Sequence, residues 1–308
     1  MLWQPDSVRA RQSLLWRFSE DTRHLHGCAP DNYGGLHAWS ISDRAAFWSS
    51  VWDAGGVIGD RGEVALAAGG DMLSDRYFPQ ARLNFAQNLL RRQGDDPAII
   101  FHREDGQRRE WSWNELRSTV SRLQQALAEF GVAPGDRVAA ILPNVPEAIA
   151  LMLAVTSLGA VWCSCSPDFG AAAILDRIGQ IRPKLLIAVD GYLYAGKRFD
   201  VSATVRAVAS KLGVPATIVV DLLGGAEALA ATVTGGRSFA ALVAPYEPAE
   251  PVFTRLPFQH PLFVLFSSGT TGKPKGALAT QRNITSNILA MMCSGARSFL
   301  HEDILDGE

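Results

Sequence analysis

The run Ser267-Ser268-Gly269-Thr270-Thr271-Gly272-Lys273-Pro274-Lys275-Gly276 is the segment of this chain best equipped for chemistry. Its ten residues carry three glycines, four hydroxyls and two lysines. It directly follows an apolar stretch, Leu262-Phe263-Val264-Leu265-Phe266. A polyphosphate at the end of a strand needs such a set. Glycines let backbone N–H groups approach and line a concave nest, hydroxyls donate further hydrogen bonds, and lysines add charge.

The run is not a Walker A loop, which requires Gly, four residues, then Gly-Lys-Ser/Thr. Counting from Gly269, Pro274 stands where that glycine belongs, and Gly272-Lys273 is followed by Pro274 rather than a hydroxyl. A dinucleotide GxGxxG is absent here too. A flexible Gly/Ser/Thr surface loop is the competing reading. It does not account for Thr-Thr-Gly-x-Pro-Lys-Gly behind an apolar strand.

The elements that must position this loop follow from patterning. Ala98 to Phe101 reads as a strand, Glu104-Asp105-Gly106-Gln107 as a hairpin turn, and Arg108 to Trp113 as the returning strand. Ser112-Trp113-Asn114-Glu115 is a capping box. Leu116, Val120, Leu123, Leu127 and Phe130 then repeat at helical spacing, and Gly131 ends the helix. Strands are expected at 137–142, from Val161, at 185–189, 217–220 and 262–266. Helices are expected at 146–158, 171–181, 201–212 and 283–292. The connection 224–238 shows no readable pattern. Short apolar strands alternating with helices predict an α/β fold, a mostly parallel, doubly wound sheet with helices on both faces. Ligands gather at the carboxyl ends of such strands, where Ser267 to Gly276 would lie.

Before this region the pattern is weaker. Trp3, Trp16, Trp39, Trp48 and Trp52 fall in the first 80 or so residues, which are rich in turn formers. Arg44 to Trp52 fits a short amphipathic helix burying Phe47 and Trp48. The remainder reads as a segment draped over a larger core, with 55–70 a Gly/Ala-rich loop holding one short strand.

Bulk properties narrow the function classes. The 308 residues are 47% hydrophobic and 19% charged, with a net charge of −2, an ordinary globular composition. That charge makes no case for a nucleic-acid partner or an anionic membrane surface. The pairs Arg91-Arg92 and Arg108-Arg109 read as solvated surface. Of four cysteines, Cys28, Cys163, Cys165 and Cys293, Cys163 and Cys165 are too close for a comfortable disulfide. No His or Cys joins them at metal-ligand spacing, so no metal site is expected. They read as small buried side chains, and this usage suits a reducing cytoplasm. Met1 to Phe18 carries Asp6, Arg9, Arg11 and Arg17 and lacks the apolar core of a signal peptide. Residues 148–167 hold no charge, but Gly159 interrupts them, and a buried helix followed by a buried strand explains them better than a membrane span. His37, His102 and His260 have no partner pattern and read as structural or surface residues.

The loop resembles the signature of adenylate-forming enzymes, the superfamily of acyl-CoA synthetases, luciferases and peptide-synthetase adenylation domains, and fits it at every position. Longer stretches resemble one branch, the acetoacetate-CoA ligases. These are Tyr77 to Leu90, Gly135-Asp136-Arg137-Val138, Leu142-Pro143-Asn144, Cys163 to Gly170 with its branch-specific Cys165 to Gly170, and Asp190 to Lys197. Leu36-His37-Ala38-Trp39-Ser40 and Phe47-Trp48 resemble the N-terminal segment of acetyl-CoA synthetases. The resemblance implies an N-terminal cap over 1–78 and the N-terminal portion of an AMP-binding domain over 79–308, incomplete at its C-terminus.

The family's reaction has two halves. A carboxylate attacks the α-phosphate of ATP, giving an acyl-adenylate and pyrophosphate; CoA then attacks the acyl carbon and expels AMP. The resemblance implies ATP, Mg²⁺, coenzyme A and a short carboxylate, acetoacetate, as ligands. It assigns Ser267, Ser268, Thr270, Thr271 and Lys275 to the β- and γ-phosphates, and Gly269, Gly272 and Gly276 to the backbone path. Lys273 stands at a position that varies across the superfamily and ranks below Lys275. Lys197 aligns with a basic patch near the CoA nucleotide in acetyl-CoA synthetases, against the alternative of an exposed structural lysine.

Two departures stand out. The family's later motifs, including its catalytic lysine, have no counterpart after Gly276, so no catalytic residue is identifiable and the chain reads as a truncated form. The tail Ala277 to Leu289 is more like medium- and long-chain fatty acyl-CoA ligases. A fatty acyl-CoA ligase and a non-catalytic nucleotide-binding remnant are therefore the alternatives.

Overall fold

The computed structural model describes residues 6–26, 32–71, 73–267 and 272–293. The chain forms two compact units. One comprises Met1–Leu83, Pro257–Gln259 and Gln281–Glu308; the other comprises Asn84–Leu256 and His260–Thr280.

The first unit opens with helices α1 (Ser7–Gln12), α2 (Leu14–His26), α3 (Tyr33–Ser42) and α4 (Arg44–Ala54). Asn32 and Asp43 cap α3 and α4, each side-chain oxygen accepting a backbone N–H at 3.0 Å. This corrects the expectation of a weakly patterned, draped segment. Phe18, Leu36 and Val51 form a small core of their own. In α4 the buried residues are Ser50, Val51 and Trp52, whereas Phe47 and Trp48 are only half-buried. The two rings pack edge-on at 5.4 Å. The region expected to hold one short strand holds two, β1 (Gly59–Asp60) and β2 (Leu66–Ala67). They pair antiparallel with β4 (Arg82–Leu83) and β3 (Arg76–Tyr77) respectively.

The second unit begins with α5 (Phe85–Leu89), the hairpin β5 (Pro97–His102) and β6 (Arg108–Ser112), and α6 (Trp113–Glu129). The capping box is present in full. Ser112 Oγ accepts from Glu115 N at 3.2 Å, and Glu115 Oε2 accepts from Ser112 N at 2.7 Å. Gly131 follows the helix at φ +66°, a conformation that glycine adopts without penalty.

Strict alternation then follows: β7 (Arg137–Ile141), α7 (Pro146–Ser157), β8 (Val161–Cys165), α8 (Ala171–Ile178) with a 3₁₀ turn over Gly179–Ile181, and β9 (Leu185–Val189). A second hairpin, β10 (Gly191–Tyr194) and β11 (Lys197–Asp200), precedes α9 (Ser202–Leu212) and β12 (Thr217–Val220). The unreadable stretch 224–238 contains α10 (Ala226–Ala230) and β13 (Gly236–Ser238). After α11 (Phe239–Val243) and the short β14 (Leu256–Pro257) come β15 (Pro261–Ser267) and β16 (Lys275–Thr280). Helix α12 (Gln281–Cys293) belongs to the first unit.

Seven strands form one sheet in the order β13-β12-β9-β7-β8-β15-β16. All neighbours are parallel except β15 and β16. Every residue of β9 is buried, as a strand covered on both faces requires. From β7 the chain steps one way to β8, then crosses back to β9 on the other side of β7. Right-handed crossovers in opposite directions put α7 on one face and α8 and α9 on the other. Accordingly α6 packs on α7, and α8 on α9. The strand order therefore reverses at β7, the place where α/β sheets open a crevice at their carboxyl edge. The charge-free stretch 148–167 divides into α7 and β8. Among the described residues no helix is long and apolar enough to cross a membrane.

Candidate functional site

The glycine-rich run connects β15 to β16 at the carboxyl end of β15. Ser267, the last residue of β15, stands opposite Lys275, the first of β16. Both are exposed. Ser268, Gly269, Thr270 and Thr271 lie outside the described residues. Gly272 has φ +97°, a left-handed conformation that disfavours other residues. Lys273 is exposed, and Gln180 Nε2 donates to Pro274 O at 3.0 Å, tying the far side of the loop to the 3₁₀ turn after α8. Gly276 faces Phe266 across the ladder; a Cβ there would sit 3.2 Å from the ring and 3.3 Å from Val264. The antiparallel return was not anticipated by the sequence reading. One face of β15 is covered and the other open: Leu262 and Val264 are buried, but Leu265 is 51% exposed.

Lys197 opens β11 and pairs with Tyr194. It is exposed and makes no ion pair among the described residues. Alternation puts Lys197 on the hairpin face that carries the stacked rings of Tyr192 and Phe199, 5.0 Å apart. Arg198 points to the other face.

At the carboxyl end of β9, the buried Asp190 organises the turn after β12. Its carboxylate accepts N–H groups from Leu222 at 2.8 Å, Leu223 at 3.1 Å and Gly225 at 2.6 Å. This is an anion nest filled by the protein's own carboxylate.

The hairpin β5–β6 borders two cavities near these strand ends. One, of about 490 Å³, is mostly apolar and lies among Ile99, Phe101, Leu142, Pro146 and Met152, with Asn144 and Ser164 at its polar margin. The other, of about 350 Å³, is lined by Arg103, Gln107, Arg109, Arg198 and the turn Asp221 to Gly224. The sequence reading named none of these as site residues. Arg108-Arg109 was read as solvated surface. Arg109 instead makes a two-pronged ion pair with Glu147 in the first turn of α7, at 2.6 and 3.0 Å.

The thiols behave as expected of buried side chains. Cys163 is buried and Cys165 half-buried, and both are free. Burial pushes each thiol up to about 12. His260 is structural, its Nε2 lying 2.8 Å from Gly159 O, and His37 stacks on Tyr33.

Comparison with known proteins agrees with this architecture. The acetoacetyl-coenzyme A synthetase of Rhizobium meliloti is 53% identical over 274 residues, covering 89% of this chain and 42% of that protein. The acetoacetyl-CoA synthetase of Macaca fascicularis is 34% identical over 284 residues with the same coverage. The structure of acetoacetyl-CoA synthetase from Streptomyces lividans superposes with a TM-score of 0.86 at 38% identity, over 94% of this chain and 45% of that one. The chain thus spans less than half the length of these relatives. The family model described as AMP-binding enzyme matches residues 85–305, and the chain belongs to that family.

Proposed function

We propose that this chain supplies the nucleotide-binding part of an acyl-CoA synthetase that activates a short carboxylate, acetoacetate, with ATP. The observation that carries the reading is the Ser267–Lys275 pair at the mouth of the glycine-rich hairpin, in a chain 53% identical to an acetoacetyl-coenzyme A synthetase. In the first half-reaction a carboxylate oxygen bonds to the α-phosphorus as the bond to the bridging oxygen breaks. Negative charge builds on the departing pyrophosphate. Lys275, the Ser267 hydroxyl and the hydroxyls and amides of 268–271 would stabilise that charge, which is electrostatic catalysis. In the second half-reaction the CoA sulfur takes the acyl carbon and AMP departs. Lys197, exposed on β11, would meet the anionic nucleotide end of CoA.

Among the described residues no group of three or more His, Cys, Asp or Glu side chains could hold a metal ion. Mg²⁺ would arrive on the nucleotide's phosphates, where it would neutralise their charge.

The tail after Gly276 favours a second reading, a fatty acyl-CoA ligase. Acid-dependent ATP–pyrophosphate exchange separates the two. Acetoacetate, acetate and octanoate are offered separately to the purified protein. Exchange with acetoacetate alone is expected. Exchange with octanoate alone would transfer the assignment to the fatty acyl class. A folded protein that neither exchanges nor binds ATP would refute both.

A further inference from the structure

We propose that the arginine-lined cavity at the β5–β6 hairpin is a second anion site, taking the phosphate group of a small metabolite independently of the glycine-rich loop.

The lining comes from three separate parts of the chain. Arg103 and Gln107 flank the hairpin turn, Arg109 lies on β6, Arg198 on β11, and Asp221 to Gly224 follow β12. Their guanidinium groups are fixed in advance. Arg103 donates to Asp105 at 2.8 and 2.6 Å and to Leu222 O at 3.0 Å. Arg198 donates to Leu223 O at 2.6 Å. Arg109 is held by Glu147 and stacks over the Phe101 ring at 5.0 Å. A guanidinium has five N–H donors, so each keeps donors for a ligand after these bonds. Pre-organised forks of this kind suit a tetrahedral oxyanion.

The charge balance points the same way. Asp105 and Glu147 offset Arg103 and Arg109. Arg198 makes no ion pair among the described residues, so its charge is uncompensated. Asp221 is the one carboxyl in the lining. Three guanidinium groups therefore face one lining carboxylate. The backbone amides of the adjoining nest are already committed to Asp190, so the ligand must be held by side chains. A cavity of about 350 Å³ is within the size range of small-ligand sites.

The site is separate from the two assigned above. Lys197, the residue attributed to CoA, lies on the opposite face of the β10–β11 hairpin from Arg198. The glycine-rich loop is built on β15 and β16, neither of which lines this cavity.

Inorganic phosphate titrated into the full chain, followed on the ¹H–¹⁵N signals of the arginine Nε groups, tests this. Saturable binding is expected. Arg198→Gln removes the uncompensated charge, and Gln107→Glu adds a repelling carboxylate while keeping every arginine. Both positions are exposed, so the fold should survive, as a far-ultraviolet dichroism spectrum would verify. Each variant should weaken phosphate binding by about fivefold or more, and Lys275→Ala and Lys197→Ala should leave it unchanged. Absence of saturation overturns the proposal. So does binding that Lys275→Ala or Lys197→Ala abolishes, because the phosphate would then be reporting the other sites. Succinate binding as tightly as phosphate overturns the phosphate assignment.

Discussion

The Asp190 carboxylate receives the backbone N–H of Gly225 at 2.6 Å across a separation of 35 residues. It thereby locks the turn after β12 to the carboxyl end of β9. Leu222 and Leu223 add their own N–H groups to the same carboxylate. Both hairpins that border the arginine cavity lean on this arrangement: Arg103 donates to Leu222 O, and Arg198 to Leu223 O.

Removing that carboxylate should be costly. Asp190→Ala strands several backbone donors in a place where Asp190 is only 3% exposed, and we expect a loss of about 3 kcal/mol. Asp190→Asn keeps one acceptor oxygen and should lose about half as much. Urea unfolding measures both. An alanine variant as stable as the parent would show that water replaces the carboxylate at no cost.

The Arg109–Glu147 pair gives a second expectation. Glu147 is 9% exposed and Arg109 30%, so the pair lies between a surface ion pair and a buried one. A double-mutant cycle with Arg109→Ala and Glu147→Gln should return a coupling of about 1–2 kcal/mol. Coupling near zero would mean that solvent screens the pair fully.

Alkaline pH should destabilise the fold through the thiols. Cys163 and Cys165 stand at about 12 against an ordinary 9.0. A folded-state value raised above the unfolded one gives stability that is intact below 9 and is lost as pH climbs towards 12, because the unfolded chain ionises first. The urea midpoint should therefore fall between about pH 8 and pH 11. The double variant Cys163→Ala, Cys165→Ala should show a smaller fall. An identical fall in both proteins would remove the thiols as its cause.

Gly191 admits no side chain. An added Cβ would lie 2.5 Å from Phe199 O and closer still to Leu223 Cδ1. Gly191→Ala should cost about 1–3 kcal/mol and disturb the β10–β11 hairpin that carries Lys197 and Arg198. Thermal unfolding together with phosphate titration would register both effects; an unchanged melting temperature would mean that the hairpin yields freely.

Lys275→Ala should slow acid-dependent ATP–pyrophosphate exchange by about a hundredfold. Equal rates would transfer the work of holding the phosphates to residues 268–271.

Sequence reading was strongest where local chemistry dictates structure. Ser112 and Glu115 bond as a capping box should, and the strand–helix alternation from Arg137 to Val220 follows apolar runs punctuated by glycine. It failed where burial is not periodic. Helix α4 buries three consecutive residues, Ser50 to Trp52, a pattern that no helical period announces. The stretch 224–238 hid a five-residue helix and a three-residue edge strand, both too short to leave a signature. The glycine-rich loop was legible because its residues are contiguous. The arginine cavity was not, because Arg103, Arg109, Arg198 and Asp221 meet only after distant strands have paired, and no spacing in the chain encodes that meeting.

Among the described residues strand β16 is outermost in the sheet, and Leu278 on it is 58% exposed. A ladder edge of this kind is a template on which a second chain can add a strand. Lys275 is the sole charge on β16, and charged side chains, lysine above all, are a common deterrent to such growth. On this reading, the side chain assigned to a nucleotide's phosphates would also deter pairing between copies of the chain. Neutralising it should then raise light scattering at high protein concentration as well as slow the chemistry.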